Sequence, residues 1–317
     1  MEGNMMETTW NYTNARQYVR HIDEGMPPVI ITCATTNSWQ RSDHPTVPLT
    51  AEEQDADAAA VFAAGARIIH IHGREKDDPS KTTNDPARLR EINGLIRAKA
   101  PEILVDDSQT NAPLAVADGT ILGMPVFPKS APLEAGPDIM ALNPGPMTYR
   151  GAKGAPSRVM VTSFDDTLRT ANLLRERGIK PQVFLYHPGH LDMLDYLIQH
   201  NALDKPYFVQ LVFGQQSGIP MGPDAVLYMV SNLPSDTIFQ TCALGLHAFH
   251  VNVMALLLGG HVRTGLEDCL WYSRGEAAKS NAQLVERIVR IAADLGRRVA
   301  TTEETRQMLG ISGKSRQ

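Results

Sequence analysis

Short apolar runs rich in β-branched residues alternate along this chain with longer amphipathic runs. The short runs are predicted strands and occupy residues 28–34, 67–72, 103–105, 139–142, 182–186, 207–212, 237–242 and 261–264. The runs between them carry helix signals, such as Thr50 followed three residues later by Glu53, which is the pattern of a capping box. Strands that alternate with helices favour a parallel sheet, because each helix returns the chain to the same edge.

Eight strands in this alternation match the (β/α)8 TIM barrel, which needs about 250 residues. We therefore predict a single (β/α)8 barrel domain over residues 1–317, with residues 1–25 as an N-terminal arm. An open doubly wound sheet is the alternative, but no Gly-x-Gly-x-x-Gly pattern follows the first strand. Residues 111–137 are rich in Pro and Gly, and we expect them to form a long loop after the third strand, on the face where barrel active sites lie.

Charge and cysteine content exclude several classes of function. The chain has 30 Lys plus Arg against 35 Asp plus Glu, a net charge of −5, which argues against a nucleic-acid partner. Its three cysteines, Cys33, Cys242 and Cys269, are too few and too widely spaced for a disulfide framework or a Cys-x-x-Cys metal site. No apolar run reaches the roughly 18 residues of a membrane span, and the N-terminal residues lack the apolar core of a secretory signal. We expect a cytoplasmic protein with no membrane partner.

Two histidines, His70 and His72, stand at the end of the second predicted strand. Side chains two residues apart on a strand point to the same side, and the carboxyl ends of barrel strands carry the active site. Both imidazoles are therefore expected at the barrel mouth, where they would supply two ligands of a catalytic zinc site. Two histidines with ordinary hydrogen bonds are the alternative at this spacing.

A second cluster of charged residues lies at the end of the eighth predicted strand, in residues 259–268, Gly-Gly-His-Val-Arg-Thr-Gly-Leu-Glu-Asp. In a closed barrel the first strand lies between the eighth and the second, so Glu267 would be able to reach a metal held by the two histidines. Two histidines and one glutamate form a known catalytic zinc set. Alternatively, Glu267 and Asp268 cap the following helix and Arg263 pairs with one of them.

These segments carry a resemblance to a known family. The chain resembles the β-keto acid cleavage enzymes, which are zinc-dependent (β/α)8 proteins. The resemblance extends patchily from about residue 28 to residue 309. Its most specific parts are residues 30–34, 48–53, 64–75, 259–268 and 280–285.

The resemblance implies a chemistry and a set of roles. It implies a zinc ion bound by His70, His72 and Glu267, and an exchange in which a β-keto acid and acetyl-CoA become acetoacetate and a new acyl-CoA. An aspartate matching Asp268, paired with an arginine matching Arg263, would abstract the proton that creates the nucleophilic enolate. The partners would be the small β-keto acid and acetyl-CoA. Family members also assemble as homo-oligomers, commonly tetramers.

The expected substrate pocket contains four further residues. The resemblance places the substrate carboxylate on a serine after the third strand, which is Ser108 here. Asp106 shares the strand face of Ser108 and either lines the pocket or lies deeper, as a partner at the bottom of the strand. Trp39 lines the pocket or packs in the core. Phe184 stands on the fifth strand, where family members that cleave an amino substrate carry an acid.

The chain departs from the family pattern at other positions as well. An acid after the first strand is replaced by residues 38–39, a threonine on the fourth strand by Ala141, and a Gly-Gly pair after the third strand by residues 109–110. A cationic amino group in a partly dry pocket needs a carboxylate partner. We therefore expect a substrate tail that is not of the amino type. The alternative function is a metal-dependent lyase or hydrolase that cleaves a β-dicarbonyl compound without CoA.

Overall fold

Eight parallel strands close into a barrel in the computed structural model, which describes residues 15–108, 114–117, 120–122, 133–150 and 157–312. Neighbouring strands follow chain order, and the last strand pairs with the first. The strands are β1 Ile31–Ala34, β2 Ile68–Ile71, β3 Leu104–Asp107, β4 Ile139–Leu142, β5 Lys180–Leu185, β6 Tyr207–Phe213, β7 Thr237–Ala243 and β8 His261–Thr264. The TIM barrel is thus confirmed and the open sheet is excluded.

Helices cover the outside of the barrel and one of its ends. They are α1 Ala15–Glu24, α2 Ala51–Ala64, α3 Pro86–Lys99, α4 Phe164–Glu176, α5 His190–Gln199, α6 Pro223–Ser231, α7 Ala248–Leu257, α8 Asn281–Asp294 and α9 Thr302–Leu309. Between β3 and β4 the described residues contain no α-helix, and their single helical turn is a 3-10 turn at Leu133–Ala135. No helix among the described residues has the length and apolar character to span a membrane.

The helix ends follow the capping chemistry read from the sequence. Thr50 accepts a hydrogen bond from the Glu53 backbone N–H, and the Glu53 side chain accepts one from the Thr50 backbone, so the predicted capping box is present. Gly65 ends α2 at φ 123°, a conformation that L side chains rarely adopt. Such caps satisfy backbone groups that the helix itself leaves unpaired.

The segment expected to be a long loop after the third strand is more structured than predicted. Leu114–Ala117 and Thr120–Leu122 pair as antiparallel strands, and they join Met147–Tyr149 and Arg158–Met160, from beyond β4, in a four-stranded sheet. Because those pairing partners come from a different part of the chain, the local Pro and Gly content could not reveal them. The rest of the expected loop and residues 1–14 of the arm lie outside the described residues.

The amino-terminal end of the barrel is closed by a helix that the sequence analysis did not predict. Leu309 of α9 and Ala300 before it pack with the lowest inward side chains of the strands. Those side chains are all buried and apolar: Ile30, Ile68, Leu104, Ile139, Phe208 and Ile238. This plug leaves the carboxyl ends of the strands as the accessible face of the barrel.

Strand register brings distant segments together at that face. On β1, Thr32 pairs with Arg263 of β8 and Ala34 pairs with His70 of β2. Immediately after β8, Gly265 takes φ 138°, and a Cβ built there would lie 2.0 Å from the Ala34 carbonyl oxygen. Only glycine lets the chain pass this close to β1 before it reaches the acidic pair of residues 267 and 268.

The substitution Gly265→Ala tests this close approach, with Gly275→Ala as its matched control. Gly275 also has a positive φ, 83°, but nothing lies within 4 Å of a Cβ built there. We expect Gly275→Ala to cost about 1 kcal/mol of unfolding free energy, the strain of a left-handed residue. Gly265→Ala adds a backbone clash and should cost several times more in urea denaturation. Equal losses in the two variants would contradict the argument.

Candidate metal centre and active site

Three potential metal ligands converge at the carboxyl ends of β2 and β8. The rings of His70 and His72 have centroids 5.4 Å apart and meet edge to face. Glu267 lies opposite them, with Oε1 3.3 Å from Nε2 of His72 and 3.7 Å from Nε2 of His70. All three residues are buried, and their ligand atoms lie within 4.8 Å of one another. This cluster joins the residues that the sequence predicted as metal ligands.

Asp106 of β3 fixes the orientation of one of these histidines. Its Oδ2 lies 2.7 Å from Nδ1 of His70, and both side chains are buried. An ionised carboxylate only accepts hydrogen bonds, so this contact places the proton on Nδ1 and leaves the lone pair of Nε2 facing Glu267. A carboxylate behind a metal-binding histidine is a common supporting arrangement. Asp106 is the penultimate residue of β3, near the carboxyl end of the strand, and it faces His70 there.

Neighbouring charged groups shift the pKa values of His70 and Glu267. Burial disfavours the charged imidazolium of His70, but the Asp106 and Glu267 carboxylates outweigh burial and raise its pKa above the ordinary value. Burial would also raise the pKa of Glu267, but Arg263 and the two histidines outweigh it and hold that pKa well below the usual range. Glu267 is therefore ionised at neutral pH, as a metal ligand must be.

Arg263 of β8 binds both acidic residues that follow its strand. Its Nε and Nη2 donate to the two carboxylate oxygens of Asp268, each at 2.9 Å, and Nη2 also donates to Oε1 of Glu267 at 2.6 Å. This bidentate geometry holds the Asp268 carboxylate in a fixed plane. The side chains of all three residues are less than 10% exposed.

The alternative in which the two acids cap the next helix is not what the structure shows. Helix α8 begins at Asn281, and its cap is Ser280, whose side chain accepts from the Gln283 backbone. Glu267 and Asp268 instead face inward onto Arg263. Arg263 does pair with an acid, as that alternative predicted, but it pairs with both acids rather than with one.

Trp39 holds the segment after β8 that contains Glu267. Its indole Nε1 donates to the backbone carbonyl of Glu267 at 3.0 Å, and its ring packs against a small apolar cluster that includes Val47 and Leu266. The structure thus shows a packed, hydrogen-bonded Trp39 at the end of β8.

Phe184 forms an apolar wall directly beside the charged cluster. Its ring centroid is 6.5 Å from that of His70, and the guanidinium carbon of Arg263 lies 5.8 Å from it. The wall continues through other side chains of the strand ends, namely Ala141, Val212, Cys242, Tyr186 and Leu244. We call these residues, with Phe184, the apolar wall.

Ser108 lies at the end of β3, where its backbone N–H donates to the carbonyl of Ile71 at 3.0 Å. It is partly exposed and directly follows Asp107, the residue of β3 that pairs with Ile71 of β2. Residues 109–110, where the family pattern has a Gly-Gly pair, lie outside the described residues.

Sequence reasoning missed a polar pair on the rim. The Tyr186 hydroxyl, just after β5, donates to Oδ1 of Asn143, just after β4, at 2.8 Å. The Tyr186 ring centroid lies 6.1 Å from that of Phe184. Burial raises the pKa of the Tyr186 hydroxyl well above its ordinary value, so it remains a hydrogen-bond donor. The available signal was that Asn143 directly follows one predicted barrel strand and Tyr186 ends the next one.

Comparison with known proteins relates this site to a described chemistry. Among curated proteins, the 3-keto-5-aminohexanoate cleavage enzyme of Fusobacterium nucleatum is 32% identical over 290 residues, covering 90% of this chain and 99% of that protein. The 3-oxoadipate:acetyl-CoA acetyltransferase of Cupriavidus necator is 28% identical over 288 residues, covering 90% and 95%. These relatives show that the chain is an enzyme. Acetyl-CoA as a co-substrate is consistent with their names.

A solved structure shares the fold. ObcA, in a ternary complex with a C4-CoA adduct and oxalate, aligns with a TM-score of 0.63 at 16% identity, covering 84% of this chain and 68% of that one. At this identity the likeness concerns the barrel alone. The family model described as beta-keto acid cleavage enzyme matches residues 28–311, from just before β1 to just after α9. With nearly all of its barrel matched, the chain belongs to the β-keto acid cleavage enzyme family.

Proposed function

We propose that this enzyme exchanges the acyl group of a β-keto acid with acetyl-CoA, giving acetoacetate and a new acyl-CoA, at a metal centre formed by His70, His72 and Glu267. The observation that carries the proposal is the contact between this ligand cluster and the Arg263–Asp268 pair. A metal site and a positioned carboxylate base in one buried cluster are what enolate formation requires.

The ligand cluster fits a divalent cation such as zinc. Two imidazole nitrogens and a carboxylate oxygen form a catalytic zinc set, which leaves a further position for substrate. The second carboxylate oxygen of Glu267, Oε2, is buried and has no hydrogen-bond partner among the described residues. When bound, the cation would supply Lewis-acid polarisation of a carbonyl oxygen.

Asp268 is the proposed base. Arg263 fixes its carboxylate by two hydrogen bonds, one to each oxygen. In the proposed reaction Asp268 takes a proton from C2 of the β-keto acid. It later returns that proton to C2 of the acetoacetate that leaves.

The remaining steps exchange one carbon–carbon bond for another. The C2 carbanion attacks the thioester carbonyl of acetyl-CoA, a new C–C bond forms, and the CoA thiolate leaves. The thiolate then attacks the original C3 carbonyl, and the old C2–C3 bond breaks. All atoms of the β-keto acid and acetyl-CoA are thereby found in acetoacetate and the new acyl-CoA. The CoA-named relatives favour this exchange over cleavage without CoA.

Three further residues complete the proposed site. Ser108 at the barrel rim would donate its hydroxyl to the substrate carboxylate. Trp39 would act by holding the Glu267 backbone beside the pocket, and Asp106 by orienting His70. Both roles follow from the hydrogen bonds that these side chains make.

The apolar wall defines the proposed tail of the substrate. A tail extending from C4 of a β-keto acid bound at the metal would run along Phe184, which offers neither a carboxylate to an ammonium group nor a donor to an anion. The names of the relatives include an amino substrate and a dicarboxylate, so relationship alone does not select the tail. We therefore propose a neutral, apolar tail.

The family resemblance also leads us to propose a homotetramer. Several large apolar side chains on the outer surface are more than 40% exposed, and they are offered as contact surface: Leu227, Tyr228, Leu257 and Trp271. Large exposed apolar side chains are typical of interfaces between subunits when they form a contiguous patch.

The substitution His72→Ala should abolish metal binding and turnover, because it removes one of three protein ligands. We expect metal analysis after zinc loading and dialysis to fall from about one zinc ion per chain to near zero. His200→Ala is the matched control, since His200 is an exposed histidine at the end of α5 whose ring contacts the Tyr196 carbonyl. Full zinc content in His72→Ala would remove His72 from the ligand set.

The substitution Asp268→Asn should separate metal binding from catalysis. Asparagine keeps the size of the side chain but is not a base, so zinc content should remain at the wild-type level. Turnover and exchange of the C2 protons with deuterium oxide, followed by NMR, should fall by at least about a hundredfold. Wild-type exchange in the variant would remove Asp268 from the role of base.

A panel of β-keto acids with neutral, anionic and cationic tails tests the assignment of the tail. Mass spectrometry should detect new acyl-CoA products mainly from the neutral, apolar members. Phe184→Leu is expected to keep this preference, whereas Phe184→Glu should shift it toward the cationic tail by about tenfold or more. A wild-type enzyme that prefers a charged tail would contradict the role given to the apolar wall.

A further inference from the structure

The barrel interior contains a layer of polar side chains just beneath the metal ligands. Inward side chains of alternate strands form layers in a TIM barrel, and the layer rises by about one residue from each strand to the next. We start at Thr32 of β1, pass to the paired residue of each next strand and move one residue up at each step. After all eight strands this path returns to Thr32, so the layer is closed. The layer so defined consists of Thr32, Asp106, Gln182 and Gln240.

Half of this layer satisfies its own hydrogen bonds. Thr32 donates to Oε1 of Gln240 at 2.9 Å, and Nε2 of Gln240 donates to Oε1 of Gln210, one layer higher, at 2.6 Å. Gln210 in turn donates to backbone carbonyls of Leu211 and Gln240. These contacts occupy the side of the layer away from β3.

The other two residues of the layer, Asp106 and Gln182, have polar atoms without hydrogen-bond partners. Both polar atoms of the Gln182 side chain are buried without a hydrogen-bond partner among the described residues, and so is Oδ1 of Asp106. Each side chain is only 1% exposed. A buried polar group without a partner costs about 1–3 kcal/mol, so three such atoms in one enclosed layer require an explanation.

The positions of the Asp106 and Gln182 side chains indicate that their unpartnered atoms are coupled to each other. Asp106 on β3 and Gln182 on β5 are neighbours in the layer, and β4 runs between their strands. On β4 the residue paired with Gln182 is Ala141, whose methyl group is the smallest side chain available at a residue other than glycine. The long Gln182 side chain can therefore extend toward Asp106 beneath the metal ligands.

We propose that Gln182 is a positioning residue of the metal centre. One enclosed water molecule links its amide to Oδ1 of Asp106, because the two groups make no direct hydrogen bond with each other in the structure, and this bridge couples the two side chains. Asp106 then holds His70 through Oδ2 and is itself held through Oδ1. The inference rests on the proposed metal centre and extends it to a chain of residues, Gln182–Asp106–His70.

Zinc affinity tests this coupling independently of turnover. We would titrate the metal-free protein with zinc against a chromophoric chelator. Gln182→Met keeps the length of the side chain and removes its hydrogen bonds, and it should weaken zinc binding by about tenfold, as expected for groups that support metal ligands. The matched control is Gln210→Met, which also removes a buried amide but not one beside Asp106, and it should stay within about twofold of wild type.

A double-mutant cycle decides whether Gln182 acts through Asp106. If it does, Gln182→Met should cause little further loss of zinc affinity in an Asp106→Asn background. Equal affinities of Gln182→Met and Gln210→Met, or additive losses in the cycle, would overturn the inference. Failure of the wild-type protein to bind zinc would overturn the metal centre itself.

If Gln182→Met does not fold, the shorter amide of Gln182→Asn serves in the same cycle. It should give a smaller loss in the same direction, and that loss should again be absent in the Asp106→Asn background. Thermal unfolding of each variant without metal separates a loss of stability from a loss of zinc affinity.

Discussion

One buried guanidinium holds the active-site face of this barrel together. Arg263 bonds directly to two buried carboxylates, those of Glu267 and Asp268, and a third buried carboxylate, Asp106, bonds to His70 of the same cluster. With these three acids ionised and both histidines neutral, as metal ligands must be, the cluster carries two more negative than positive charges, and burying such an excess is costly. A divalent cation on His70, Glu267 and the second histidine would cancel that excess. The interactions of Arg263 that fix the Asp268 carboxylate are thus compatible with a divalent cation at this cluster.

The barrel supplies the geometry that this cluster needs. β1 lies between β2 and β8, and the glycine after β8 lets the chain turn against β1, so segments almost 200 residues apart in sequence meet within hydrogen-bond distance. The apolar wall, formed at the ends of β4, β5, β6 and β7, borders the cluster on one side. In such surroundings hydrogen bonds to ionised groups gain strength, which favours a fixed base and a polarised carbonyl in the same pocket.

The sequence predicted those parts of the site whose chemistry is local. Period-two spacing placed His70 and His72 on one face, and strand–helix alternation gave the closed barrel that brings Glu267 to them. Side-chain pairing between strands was not accessible in the same way. Whether Asp106 faced the pocket or a histidine depends on a 2.7 Å contact that no spacing encodes. The helix α9 was missed because most of its eight residues are polar and only its end enters the barrel.

The central claim, carbon–carbon exchange with acetyl-CoA, is tested most directly by following the acetyl carbons. The zinc-loaded enzyme would be incubated with acetyl-CoA labelled with carbon-13 at both acetyl carbons and with an unlabelled apolar β-keto acid. We predict acetoacetate that is labelled only at C3 and C4 and is formed in an amount equal to that of an unlabelled new acyl-CoA. Cleavage products that contain no label, with the acetyl-CoA left intact, would contradict it and point to cleavage without CoA.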